Sequence, residues 1–307
     1  MSLNLHHLRL FAAVVEHKGF TRAAAALRLS QPAISKSLSE LERQIGLPLL
    51  ERSGRATHLT EAGRALYTRA REIFGLEQAA EQELRELRGL ERGLLRVGAS
   101  TTIATYLLPE MLGRFHSQHP RVAIRTSSAN TRTIARMLLE WRIDVALIEG
   151  PVSHPRIEVL SWREDELVVI AAHDHPILSA GQVTIQALAE ETFIVREPGS
   201  GTREVTQRAL AERGVTLNRT MRIGGTEAIK HAVAARLGLA IVSKTAAADQ
   251  LALGRIAVVP VTGLRIRREF TQIRLRGRTP IGAARAFEAL LQSSADPGVA
   301  DASGDPG

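Results

Sequence analysis

Cysteine is absent from the 307 residues, which removes disulfides, thiolate-bound zinc, iron–sulfur clusters and cysteine nucleophiles together. Long apolar runs are absent as well. Stretches such as Leu167 to Ala172 fall far short of the ~18 to 20 residues that cross a bilayer, so no membrane partner is expected. His6, His7 and Arg9 interrupt the N-terminus too early for a secretory leader, and the cytoplasm is the expected compartment. Lysine is scarce. Of 40 basic residues only Lys18, Lys36, Lys230 and Lys244 are lysine, so the net charge of +8 and the pI near 10.7 rest on arginine. Such a balance points to a polyanionic partner only where the charge falls on a competent motif. No Gly-x-Ser-x-Gly elbow and no Gly-x-x-x-x-Gly-Lys phosphate loop occur, and Gly199-Ser200-Gly201 has no evident His partner, so no enzyme is expected. His173-Asp174-His175 offers adjacent ligands without a third, and neither metal nor cofactor is expected.

What is present is 44% apolar and 23% charged, the composition of a folded chain, and long enough for two or more domains at ~150 residues each. Residues 1–60 carry eight Lys or Arg against four Glu in a helical pattern broken at short intervals. Leu5, Leu8, Ala12 and Val15 predict a first helix that Gly19 ends. Thr21 is the expected N-cap of a second, whose small run Ala23 to Ala26 permits close approach of another helix. Ser30 caps a third, with Pro32 in its first turn. Ile34, Leu38, Leu41 and Ile45 line that helix's inner face, leaving Gln31, Pro32, Ser35, Lys36, Ser39 and Arg43 outside. A short turn followed by a helix with a small, polar, basic outer face suits a major groove. The bland alternative is a solvated amphipathic face.

Leu47 to Thr60 predicts a two-stranded wing turning at Gly54, with Arg52 and Arg55 within reach of phosphate. From Thr60 a long helix runs to about Arg88, with Leu66, Ala70, Ile73, Leu76, Ala80, Leu84 and Leu87 on one seam. An apolar seam of that length fits pairing with a second copy, or packing against its own domain. After Gly89 and Gly93 the pattern changes. Strands at Leu94 to Gly98, Val122 to Ser127, Val145 to Ile148, Leu167 to Ala172, Phe193 to Arg196 and Leu239 to Val242 alternate with helices, which predicts parallel βαβ units. The helices are expected from Gly98 through Leu112, over Thr131 to Trp141, Thr202 to Arg213 and Thr226 to Arg236. The expected organisation is a head over 1–59, a linker helix and hinge over 60–92, and a two-lobed α/β domain over 93–292. Lobe I takes 93–163 and 267–292, lobe II takes 164–266, and a tail over 293–307 has no core pattern.

The order of these elements resembles the LysR-type transcriptional regulators over almost the whole chain. The resemblance rests on Phe20-Thr21-x-Ala23-Ala24-x-x-Leu27, Ser30-Gln31-Pro32-Ala33-Ile34-Ser35, Leu49-Leu50-Glu51-Arg52 and Leu59-Thr60-Glu61-Ala62-Gly63. Further along, Ile143 to Gly150, Glu164-Asp165-Glu166-Leu167 and Gly238 to Val242 also fit that family. It implies a winged helix-turn-helix, a coiled-coil linker helix and a periplasmic-binding-protein-like effector domain, in homodimers commonly paired into homotetramers on double-stranded DNA operators. It also implies RNA polymerase as a further partner. Carried onto this chain, base reading would fall to Gln31, Pro32, Ser35, Lys36 and Ser39, and phosphate contact to Arg22, Arg52 and Arg55.

Three segments share a strand end, a small polar cluster and a helix start: Ser100-Thr101-Thr102, Gly199-Ser200-Gly201-Thr202 and Gly224-Gly225-Thr226. Each aims backbone N–H groups and a hydroxyl beyond its strand, and in a two-lobed α/β domain such ends converge on the cleft, where helix dipoles favour an anion. Plain N-capping is the alternative for any one of them. The expected effector-binding set is Ser100, Thr101, Thr102, Asn130, Glu149, Ser200, Gly201, Thr202, Arg203 and Thr226, with Arg196 a further source of charge. Arg196 to Arg203, Gly225 to Val233 and Ile148 to Pro151 resemble a subgroup regulating sulfur metabolism, close to regulators of carbon fixation. That resemblance implies a small oxyanion such as sulfite or sulfate, then a phosphorylated or carboxylated metabolite. Glu149 opposes a dianion unless an Arg offsets it. Two other classes compete: a cytoplasmic small-anion sensor whose N-terminal helices only dimerise, and a DNA-binding scaffold that takes no ligand.

Overall fold

The computed structural model describes residues 3–53, 56–87, 93–280 and 282–294, in two compact units that divide at Gln82/Glu83. The head opens with three helices, α1 (Leu5–Glu16), α2 (Phe20–Leu27) and α3 (Gln31–Ile45). Asn4 caps α1 by accepting from the His6 and His7 N–H groups, and Ser30 caps α3 by accepting from Ala33 N–H at 3.3 Å. Thr21 is not a cap. The chain enters α2 at Gly19, whose φ of +141° only glycine adopts freely, which places Thr21 inside the helix. Leu8, Phe11, Ala23, Ile34 and Leu41 are fully buried, so the inward stripe of α3 meets α1 and the alanine face of α2.

A wing of β1 (Leu50–Ser53) and β2 (Ala56–Leu59) follows, the Gly54 turn lying outside the described residues. Glu42 fixes the wing to α3 by accepting from Leu49 N–H at 2.8 Å and Leu50 N–H at 3.3 Å. Helix α4 (Glu61–Leu87) is capped by the Thr60 hydroxyl, which accepts from Gly63 N–H at 2.9 Å. Its first half belongs to the head core: Ala70 is fully buried, Leu66, Tyr67, Ile73 and Phe74 pack beside it, and Arg9–Glu77 and Arg71–Glu16 ion pairs tie it to α1. The seam then emerges, with Leu76 58% and Leu84 61% exposed. The unit boundary therefore falls inside this helix rather than at its ends.

The second unit holds β3 (Leu94–Ser100), α5 (Thr101–Tyr106), α6 (Leu108–Gln118), β4 (Ala123–Ala129), α7 (Thr131–Leu139), β5 (Val145–Glu149) and β6 (Ile157–Ala172). Then come β7 (Thr192–Val195), α8 (Gly201–Ala211), β8 (Arg219–Arg222), α9 (Thr226–Ala234), β9 (Ala240–Ser243), α10 (Lys244–Ala252), β10 (Ile256–Val258), β11 (Ile266–Leu275) and α11 (Gly282–Ser293). The single helix expected after Gly98 is two, because Pro109 has no N–H to give the Thr105 carbonyl and the chain turns at Leu107. The sheet is also mixed rather than wholly parallel. β3 pairs in parallel with β4 and β5, and β7 with β8, whereas β6, β9, β10 and β11 pair antiparallel.

β6 and β11 run through both lobes as one antiparallel pair, and their register slips once: Phe270 faces Arg163 while Thr271 faces Ser161, leaving Trp162 bulged. A bulge adds local twist, which turns the second lobe relative to the first. Lobe I packs one sheet face around Leu95, Phe115, Trp162 and Phe287 and the other around Ile134, Ile143 and Ile273. Lobe II packs Leu167, Phe193, Leu239 and Ile241 on one face and Ile170, Ile194, Ile229 and Val242 on the other.

Candidate nucleic-acid interface and interlobe cleft

On α3 the outer face is free of its own unit. Gln31, Pro32, Lys36 and Ser39 are exposed and Ser35 half-buried, while the stripe behind them is sealed in the core. The Thr21 hydroxyl reaches Gln31 Oε1 at 3.3 Å, linking the two helices at the exposed start of α3. Arg22 is exposed and donates to the Lys18 carbonyl. Arg43 is held by Glu40 one turn back, which keeps that carboxylate below its ordinary range. Arg52 lies on β1 with its side chain outside what is described, and Arg55 lies outside the described residues. A polar, mildly basic helix face with both its ends capped and its apolar side buried can enter a major groove without unfolding anything.

The cleft has a base and a mouth. At the base, Glu149 ends β5 almost fully buried, and its Oε1 accepts from the hydroxyls of Thr102 and Thr202, each at 3.1 Å. Its Oε2 lies 3.4 Å from Arg268 Nη2, an ion pair without hydrogen-bond geometry. Arg268, on β11, donates to Asp165 at 2.6 Å and to the Thr202 hydroxyl at 2.8 Å, and Ser243 donates to Asp165 at 2.8 Å. The charge that opposes an anion at Glu149 is thus offset from a strand whose Ile-Arg-Arg-Glu-Phe sequence carries no local sign of it. The lobes also meet here through backbone. A Cβ on Gly201 would stand 1.6 Å from the Glu149 carbonyl oxygen, and one on Gly150, at φ +81°, 2.6 Å from Gly201 Cα. Thr131 donates to the Glu149 carbonyl at 2.7 Å, and Asn130, which caps α7, donates to Pro198 at 3.4 Å. Ser200 caps α8, and Arg203 donates to the Arg196 carbonyl at 3.0 Å.

At the mouth, the buried guanidinium of Arg196 bridges the lobes, donating to Thr101 at 3.2 Å on lobe I and to Thr226 at 3.0 Å on lobe II. Glu197 receives its other N–H groups at 2.9 and 3.0 Å. Burial pushes the Glu197 carboxyl up, but the hydrogen bonds and charge of Arg196 outweigh it and leave the group below its ordinary range. One turn beyond Thr226, Lys230 is almost fully buried, 2.8 Å from Glu227, bonded to the Ala246 carbonyl at 2.6 Å and 4.9 Å from the Tyr106 ring of lobe I. Two hydroxyls on this side of lobe I, Ser100 Oγ and Tyr106 Oη, are buried without a hydrogen-bond partner.

The expected effector residues are therefore gathered but divided. Thr102 and Thr202 both bond Glu149 at the base, Asn130 and Gly201 join the lobes, Ser200 caps α8, and Ser100, Thr101 and Thr226 stand at the mouth. Sequence reasoning missed Lys230, Tyr106, Asp165 and Arg268. Lys230 was findable at four residues from Thr226 on the same helix face; the others depend on pairings remote in sequence. At the His173-Asp174-His175 loop, Asp174 is gripped by the Arg236 fork, whose hydrogen bonds and charge hold its carboxyl down to about 2, and His175 accepts from Ile177 N–H. Among the described residues no three potential metal ligands come together, and no described helix is long and apolar enough to cross a membrane.

Two family patterns match the chain: "bacterial regulatory helix-turn-helix protein, lysR family" over residues 5–64 and "LysR substrate binding domain" over residues 88–296. The chain is 37% identical over 295 residues to the RuBisCO operon transcriptional regulator of Allochromatium vinosum, spanning 96% of this chain and 97% of that protein. Its second unit is similar to the Synechocystis PCC6803 CcmR regulatory domain in complex with 2-PG, at TM-score 0.62 and 26% identity over 67% of this chain and 99% of that one. Its fold also matches full-length CbnR complexed with its target DNA, at TM-score 0.67 and 24% identity over 95% of this chain and 100% of that one.

Proposed function

The chain belongs to the LysR family of DNA-binding transcriptional regulators, and from that premise we propose that its operator grip is set by a small organic phosphate that also carries a carboxylate, held at the mouth of the interlobe cleft. The observation that carries the reading is the pair of buried cations on lobe II, Arg196, which bonds Thr226, and Lys230, one turn beyond Thr226 on α9, each latched to a neighbouring carboxylate, Glu197 and Glu227. A ligand carrying both a phosphate and a carboxylate replaces the two latches at once. Ser100 Oγ and Tyr106 Oη, unpartnered and on the opposite lobe, then supply hydrogen bonds that exist only when the ligand is present. The 2-PG (2-phosphoglycolate) held by the similar CcmR regulatory domain has this chemistry and supports the choice. Sulfate or sulfite would satisfy one cation and leave the other latched.

On the DNA side, Gln31, Pro32, Ser35, Lys36 and Ser39 reach base edges from the exposed face of α3, and Arg22, Arg52 and Arg55 reach phosphates. Two heads in a dimer read major grooves about 34 Å apart, and the exposed seam of α4 is the surface that pairs them. Because a ligand shifts an equilibrium only by its differential affinity, this anion acts through the lobe closure it favours, and closure changes the spacing of heads in the paired dimers.

Calorimetry with 2-phosphoglycolate, sulfate and sulfite on the full chain tests the cleft. 2-Phosphoglycolate is expected to bind at least about tenfold more tightly than either sulfur oxyanion, one bridged charge pair being worth on the order of 1.4 kcal/mol or more. Equal affinities, or no heat from any of the three, would overturn the proposal. Gel shift tests the head: Lys36→Glu and Ser35→Arg are each expected to abolish operator binding, and retention in both would move the interface elsewhere.

A further inference from the structure

Within lobe II, between α8 and the edge of the sheet formed by β7 and β8, lies a cavity of about 340 Å³ whose lining shares Arg196, Thr202 and Arg203 with the cleft and otherwise consists of residues that effector recognition does not use. Its walls include Phe193, Val195, Leu210, Val215 and Leu217, and Ile241 closes it from β9. Its volume falls at the small end of the ~300–1,000 Å³ typical of small-molecule sites. Its lining is not wholly apolar. Thr206, on α8, is only 8% exposed and is one of the lining residues, and its buried hydroxyl has no hydrogen-bond partner. An orphaned buried hydroxyl is unfavourable in the empty protein and becomes paired when a ligand brings an acceptor. Arg203 also lines the cavity. Its guanidinium makes one bond, to the Arg196 carbonyl at 3.0 Å, and no described carboxylate pairs with it.

We propose that this cavity is a second small-molecule site, adjoining the interlobe cleft, and that it takes an apolar monocarboxylate whose chain lies among Phe193, Leu210 and Val215 while its head meets Thr206 and Arg203. The site communicates with the cleft through Arg196 and Thr202, which line both, and through α8. α8 forms its roof, and the first turn of the same helix carries Thr202, which bonds Glu149, and Gly201, which touches the Glu149 backbone. Occupancy fixes the helix that closes the cleft base.

The test is titration of the full-length protein with sodium octanoate, followed by calorimetry and by melting temperature, with octan-1-ol as the head-group control and 2-phosphoglycolate as competitor. Octanoate is expected to bind once per chain without displacement by 2-phosphoglycolate. Thr206→Val, which removes the hydroxyl at nearly constant shape, should weaken it about fivefold. Ala211→Phe, an exposed position at the rim, should block it and still fold, as should Thr220→Phe from the opposite wall if Ala211→Phe does not fold. Absence of saturable binding up to about 10 mM would overturn the proposal. So would displacement by 2-phosphoglycolate, binding unchanged in the rim variant, or octan-1-ol binding as tightly as octanoate. Failure of 2-phosphoglycolate to bind at all would refute the proposal for the cleft and leave the octanoate result to decide this one.

Discussion

Residue by residue, the cleft base is a lesson in how a forbidding group becomes a structural one. Glu149 reads in sequence as a repeller of anions, yet in the fold it is surrounded by Thr102, Thr202 and Arg268 and serves as the anchor onto which both lobes are pinned. The closest approach there needs a residue without a side chain. Gly201→Ala is expected to lower stability by roughly 1–3 kcal/mol or more, because its methyl would overlap the Glu149 carbonyl, and thermal unfolding measures it. An unchanged melting temperature would mean that the lobes are not in contact at this point. Glu197 gives a pH signature. With its folded value depressed by Arg196 despite burial, the pair stabilises the cleft above the ordinary carboxylate pKa of about 4.3 and loses that contribution as pH falls through the folded value. Melting followed from about pH 6 down to 3 should decline less steeply in Glu197→Gln than in the wild type.

At the scale of elements, periodicity carried far where burial is one-sided. α1, α3 and α4 were legible because a 3- and 4-residue stripe has to face a core, and Ser30 and Thr60 marked their starts chemically. Thr21 misled because a hydroxyl near a helix start is a cap only if the preceding backbone leaves it outside, and here Gly19 takes that place. β11 was not legible, since Arg267, Arg268 and Glu269 read as solvated charge until Asp165 and Glu149 are brought beside the middle one. The same limit applied to the first half of β6, whose alternation of Glu, Trp and Arg is interrupted by a bulge. The α4 seam divides by use: its first half is spent inside the head, so only the part beyond Phe74 is available to a second copy. Leu76→Asp with Leu84→Asp is accordingly expected to halve the sedimenting mass while the head's helical signal persists. Unaltered mass in sedimentation velocity would assign pairing to another surface.

For the molecule as a whole, the second unit carries its own cores on both faces of its sheet. A fragment spanning residues 93–294 is therefore expected to melt cooperatively by itself and to bind 2-phosphoglycolate within about threefold of the full chain, a difference below 1 kcal/mol. A non-cooperative melt, or affinity lost altogether, would tie the ligand site to the head. The contacts between its lobes are unevenly distributed. Backbone meets backbone at Glu149, Gly150 and Gly201, where α8 also packs on β11, whereas on the other border α5 packs on α10 and Tyr106 reaches Lys230 of α9. The first border has no room for so much as a methyl group while the second rests on helix packing and long side chains, so any swing that a small molecule provokes has to unfasten along α9 and α10, like a book opening away from its spine.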